Sequence, residues 1–168
     1  MLRPLRKGDE ADVMQAQAEL ADDDFDFAFL RPGEPWITYL TRVERERCGL
    51  DLDPGRVPAT FLVAEADGTV VGRVSIRHEL NEFLAANGGH IGYAVRPAFR
   101  RRGYAASILR QALPIAAGLG STRVLVTCDD TNVASVKVIE GCGGVLANVV
   151  PGDGRPPIRR YWIERARD

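Results

Sequence analysis

The stretch IGYAVRPAFRRRGYA, residues 91–105, decides how the rest of this chain is read. Its short apolar run, Ile91–Val95, is broken by Pro97 and followed by a basic turn around Gly103, after which apolar residues recur at helical spacing. Strand, glycine turn and helix start, in that order, aim main-chain N–H groups and the positive end of a helix dipole at a phosphate. Gly103 lets the backbone approach a ligand with no Cβ in the way, and the small Ala105 does nearly the same one turn later. Arg100, Arg101 and Arg102 offer charge-assisted bonds to phosphate oxygens, although a basic run ahead of a helix also suits a plain solvated surface. The turn is not a P-loop, because no Gly-x-x-x-x-Gly-Lys-Ser/Thr occurs in the chain. It is not a dinucleotide fingerprint either: Gly88 and Gly89 precede the strand, and Gly141, Gly143 and Gly144 follow a helix.

Working outward, residues 59–66 and 69–78 are apolar runs joined by Asp67-Gly68, the strongest hairpin signal in the chain. A polar connection over 79–89 has room for a helical turn near 81–85. Upstream, residues 2–5 suit a first strand, Asp9 or Asp12 suits the cap of a helix reaching about Leu20, and residues 34–48 read as a helix started by Pro35. The segment ADDDFDFAFL (21–30) alternates acid with aromatic and fits no regular element. Downstream, Ile108, Leu109, Ala112, Ala116 and Leu119 keep helical spacing through Pro114, with Gly118 or Gly120 as the stop. Residues 123–127 (RVLVT) read as a strand buried on both faces. A helix follows over about 132–140, capped by Asp129, Asp130 or Thr131, and 145–150 with 158–164 make a last hairpin around PGDGRPP. Strand, helix and strand over 91–127 form a right-handed parallel crossover, and hairpins on either side make the sheet mixed.

With 168 residues the chain is expected to be one domain spanning 1–168. A formal net charge of −1 gives no global field for nucleic acid or a membrane. No apolar stretch approaches a bilayer span, and MLRPLRKGDE has no signal-peptide core. Cys48, Cys128 and Cys142 match neither a disulfide framework nor a zinc site, which suits a reducing cytoplasm and a protein without metal.

The turn Arg100-x-x-Gly103-x-Ala105 between strand and helix, followed by a second strand and by Asn132-x-x-Ser135 on a short helix ending in Gly-Gly, resembles the GCN5-related N-acetyltransferase superfamily. The order of elements matches from Leu2 to about Glu164, and HELN (78–81), GGHIGYAVRP (88–97) and VTCDDTN (126–132) resemble a bacterial subgroup of predicted acetyltransferases. The resemblance implies an α/β (α+β) fold: a mixed central sheet of about six to seven strands, helices on both faces, and one parallel strand pair that splays apart. It implies acetyl-CoA as co-substrate, with pantetheine pairing against Tyr93, Ala94 and Val95. The pyrophosphate would lie on the N–H groups of Arg100, Arg101, Arg102, Gly103, Tyr104 and Ala105. Direct attack by an amine of a small molecule or protein follows, with an N–H near Val95 polarising the thioester carbonyl. Dimers are frequent in the superfamily.

Two proton tasks then need owners. Many relatives place a tyrosine acid seven residues after the helix asparagine, where this chain has Ile139. Some relatives use a serine at the position of Ser135, whose hydroxyl can bond the CoA sulfur. Asn132 and Ser135 share a helix face and both suit the pantetheine arm, while helix capping and back-bonding are their ordinary roles. For the base, His90 titrates near neutrality and Glu79 ends the preceding strand; a partly buried histidine and a strand-end charge are the plain alternatives. The strand glutamate common in the family is absent from 91–95. Asp22, Asp23, Asp24 and Asp26, with Phe25 and Phe27, fall where the family shapes its acceptor pocket. They suit a cationic amine or, more plainly, a solvated face over two core phenylalanines. Tyr161 and Trp162 read as core or interface. The missing tyrosine and glutamate keep open a non-catalytic acyl-CoA-binding module.

Overall fold

The computed structural model describes residues 1–152 and 154–164. Asp153, inside the expected PGDGRPP turn, lies outside them. One mixed sheet carries seven strands: β1 (Leu2–Arg3), β2 (Ala59–Ala66), β3 (Thr69–Arg77), β4 (Ile91–Val95), β5 (Arg123–Asp129), β6 (Val145–Gly152) and β7 (Arg155–Glu164). Their order is β1-β2-β3-β4-β5-β7-β6, with β4 and β5 the parallel pair. Five α-helices complete the fold: α1 (Glu10–Ala21), α2 (Trp36–Arg47), α3 (Glu82–Ala86), α4 (Tyr104–Gly118) and α5 (Val133–Gly141). Among the described residues no helix is long and apolar enough to cross a membrane.

Asp67 (φ 50°) and Gly68 (φ 77°) both take positive φ, as a two-residue turn matched to strand twist requires. β2 lacks alternation of apolar and polar because both its faces are covered. On one face Ile108, Leu109, Ala112 and Ala116 of α4 pack on Leu62, Val74, Ile76, Ile91 and Val126. On the other, Val13, Ala16 and Leu20 of α1 and Trp36 and Tyr39 of α2 pack on Phe61, Val63 and Ala94. Tyr161 is fully buried in the first of these layers.

Two expectations need correction. Asp9 stands at the N-cap position of α1 but makes no side-chain capping bond, and Asp12 lies inside the helix. Asp9 is buried and bidentate to Arg3 (2.7 and 2.8 Å), and Asp12 accepts the Val70 N–H of β3 (3.0 Å). Their carboxylates tie α1 and the chain before it to the sheet, and a long-range partner has displaced the local one. Likewise, none of Asp129, Asp130 and Thr131 caps α5; Asn132 does, its side-chain oxygen accepting the Ser135 N–H at 3.0 Å.

Candidate functional site

β4 and β5 touch through one residue pair, Ile91 with Val126, and then diverge. By contrast, β5 pairs with β7 along its whole length, from Arg123 to Asp129. The parallel pair therefore opens as a wedge toward the carboxyl ends of its strands, the side on which open α/β sheets bind ligands. One wall of that wedge offers main-chain groups that β3 does not engage. The His90 carbonyl accepts the Arg77 N–H (2.7 Å) and the Arg96 N–H donates to Val71 (2.9 Å), so both face β3. Strand alternation then turns the groups of Tyr93 and Val95 the other way, into the wedge.

At the open end the chain turns through Pro97–Phe99 and enters α4 at Gly103, which is left-handed (φ 81°). A Cβ built on Gly103 meets no protein atom within 4 Å, so the space above it is open to a ligand. Among the described residues, the N–H groups of Arg101, Arg102, Gly103, Tyr104 and Ala105 donate to no protein acceptor. Five adjacent donors at a helix N-terminus beside open space fit a diphosphate.

The three arginines divide. Arg100 donates to the Val95 carbonyl (3.2 Å) and pairs with Asp23 (2.5 Å), bracing the turn against the α1–α2 connection. Arg102 lies over Phe99, 5.8 Å from the ring centroid, and Arg101, exposed at φ 61°, helps set the turn. The acidic run is accounted for in part. Asp23 holds Arg100, Asp26 accepts the Phe29 N–H (2.8 Å), and all four aspartates are exposed while Phe27 is buried. The plainer of the two expectations describes it.

Across the wedge, Tyr93 and Ser135 meet: the phenol of Tyr93 donates to Ser135 Oγ at 3.4 Å. Burial pushes Tyr93 up to about 12, opposed by its bond to Ser135, so it stays a donor at neutral pH. From sequence only the backbone of Tyr93 bears on the site. Ile139, where many relatives carry tyrosine, is fully buried in the core. Asn132, as the cap of α5, fixes the turn that presents Ser135. Asn132→Ala is expected to cost about 1 kcal/mol of stability in denaturant titration.

His90 sits at the closed end of the wedge. Its N–H donates to the Leu125 carbonyl (2.7 Å), and its Nδ1 accepts the Leu125 N–H (2.9 Å). That bond places the proton of the neutral ring on Nε2, leaving no free lone pair for a base. Burial, helped by the Arg77 charge, holds His90 below the ordinary 6.5. The unfolded chain therefore binds a proton before the folded one does. The stability His90 contributes is full above about pH 6.5 and is lost as pH falls through its lower folded value. His90→Gln, which does not titrate, is expected to flatten that part of a stability–pH curve, leaving the contribution of His78, whose pKa burial also lowers. Glu79 is exposed beyond the end of β3 and accepts no hydrogen bond among the described residues. The structure brings Tyr93, Asn132 and Ser135 together and leaves Glu79 apart.

One further set of polar residues is buried or half-buried in the fold. Arg73, Ser75 and Arg77 alternate along β3 on the face beneath α1 and α2. Their signal is a polar residue at every second position, which in a strand normally marks a wet face.

A sequence model of the acetyltransferase (GNAT) family matches residues 16–143, and the chain belongs to that family of acyltransferases. Among solved structures, a Salmonella typhimurium protein named as an acetyltransferase and solved with its cofactor acetyl-CoA superposes with a TM-score of 0.69 at 15% identity, covering 100% of this chain and 95% of that one. An N-acetyltransferase from Staphylococcus aureus Mu50 gives 0.66 at 17% identity over 98% and 97% of the two chains. A spermidine N-acetyltransferase variant from Vibrio cholerae gives 0.62 at 18% identity over 98% and 94%. At such identities these likenesses speak for the fold. No curated protein matches the sequence.

Proposed function

We propose that this protein transfers the acetyl group of acetyl-CoA directly to a primary amine. The observation that carries this reading is the wedge: two parallel strands joined at one residue pair, with five unpartnered main-chain donors at its open end. The N–H groups of residues 101–105 would hold the diphosphate, and the main-chain groups of Tyr93 and Val95 would pair with the pantetheine arm. When bound, acetyl-CoA supplies the activated acyl group. The Val95 N–H faces the wedge, where it can stabilise charge developing on the carbonyl oxygen.

The Ser135 hydroxyl is the donor offered to the departing sulfur. The Tyr93 hydroxyl, 3.4 Å from Ser135 Oγ, can hold that oxygen as its acceptor and leave the serine proton free to turn into the wedge. Water at the mouth takes the proton of the attacking amine, since neither His90 nor Glu79 is placed to do so.

A second reading, a non-catalytic acyl-CoA-binding module, draws on Ile139 being core and on the absence of an acid in β4. A screen of amines with acetyl-CoA and a thiol readout separates the two. Amine-dependent thiol release is expected; CoA binding with no release from any amine would favour the binding module. In the same screen His90→Ala is expected to lower the melting temperature more than it lowers kcat.

A further inference from the structure

The face of β3 beneath α2 holds two cations that form no ion pair among the described residues. Arg73 is 2% exposed, and Arg77 is half-buried two pleat repeats further along the same face. Arg73 donates instead to two main-chain carbonyls, those of Gly92 (3.0 Å) and Asp26 (3.1 Å), and its buried Nε has no partner. Arg77 donates to the carbonyls of Gly88 (3.0 Å) and Gly89 (3.4 Å). Neighbouring acids are engaged elsewhere: Glu34 by Arg42, Glu46 by Arg42 and Arg56, and Asp26 by the Phe29 N–H.

A buried guanidinium whose hydrogen bonds go only to main-chain carbonyls is expensive, and an arriving anion would offset part of that cost. Burial pulls Arg73 down to about 9 and Arg77 to about 10, so both remain cationic at neutral pH while under this pressure. The pair also lies against β4. Arg73 lies abreast of Ala94 and Ser75 abreast of Gly92, the strand that forms one wall of the wedge. Gly92 makes room for the second cation, because a Cβ there would stand 3.0 Å from the Arg77 guanidinium. Ser75, between the two arginines on this face, lines a narrow crevice with Phe29, Phe61, Arg42, Glu46 and Arg56. Phe25 and Phe29, whose rings stack on Arg73 at 4.7 and 4.9 Å, belong to the irregular α1–α2 connection that covers it.

We propose that the acceptor is an amine that also carries a carboxylate, a free α-amino acid or a close analogue, and that Arg73 and Arg77 bind that carboxylate while the amine faces the wedge. This rests on the transferase reading above and narrows it. A guanidinium pair favours a planar oxyanion through paired N–H donors, which a polyamine or a neutral amine cannot use.

The test uses the full chain, acetyl-CoA and matched probe sets: an amino acid, its amide, and the amine left when the carboxylate is removed. The acids are expected to exceed both partners in kcat/KM by roughly ten- to a hundredfold, the range for losing a charge-assisted bond. Arg77→Gln is expected to shrink that ratio toward one. It is the informative variant, because Arg73→Met risks the fold. Equal rates across each set, or an undiminished ratio in Arg77→Gln, would overturn the proposal while leaving the transferase intact. If no probe releases thiol, the transferase reading fails, and melting temperatures with each probe alone decide the rest. Stabilisation by the acids and not the amides supports the anion site, and its absence removes that too.

Discussion

Gly103→Val should raise the acetyl-CoA KM roughly a hundredfold while the protein stays folded. Two independent facts make this variant informative. A Cβ at Gly103 meets nothing of the protein, so no internal clash accompanies the change. The position is left-handed, φ 81°, so any L side chain there is strained by roughly 1–2 kcal/mol, enough to lower the melting temperature by a few degrees. The larger effect falls on the ligand. A branched side chain would occupy the open space faced by the N–H groups of residues 101–105. Losing even two charge-assisted bonds of about 1.5 kcal/mol each gives the stated factor. Calorimetry with CoA and steady-state kinetics would report it. Unchanged affinity in a folded Gly103→Val would place the diphosphate elsewhere.

Ser135→Ala should lower kcat by about a hundredfold with little change in the acetyl-CoA KM, as expected when a proton donor acting in the transition state is removed. Tyr93→Phe, which keeps the ring and removes the hydroxyl, should lower kcat by roughly tenfold, because the Ser135 hydroxyl loses the bond that orients it. The double variant should be no worse than Ser135→Ala alone, since Tyr93 acts through Ser135. With Tyr93 pushed up to about 12, ionisation of this pair should leave kcat unaffected through pH 10. Additive losses would show that the two hydroxyls act separately.

The parts of this protein that could be read from sequence are those set by local chemistry. Asp67-Gly68 announces its hairpin because both residues tolerate positive φ. The heptad-like spacing of Ile108, Leu109, Ala112 and Ala116 announces α4 because four buried residues on one stripe fit only a helix. Asp9 and Asp12 misled for the complementary reason: a carboxylate before a helix looks like a cap until the fold brings Arg3 and the Val70 N–H within reach. The Tyr93–Ser135 contact spans 42 residues and leaves no local trace. Arg73, Ser75 and Arg77 have the pattern of a solvated strand face. Only the placement of α1, α2 and the connection between them over β3 turns that stripe into a buried one.

Amide hydrogen exchange with and without CoA tests most directly where the cofactor lies. Saturating CoA should slow exchange at Tyr93, Val95 and residues 101–105, the donors that face the wedge and its open end, while the Arg96 N–H, already bonded to Val71, should change little. Protection confined to other segments, or none at these seven amides, would contradict the wedge as the acetyl-CoA site.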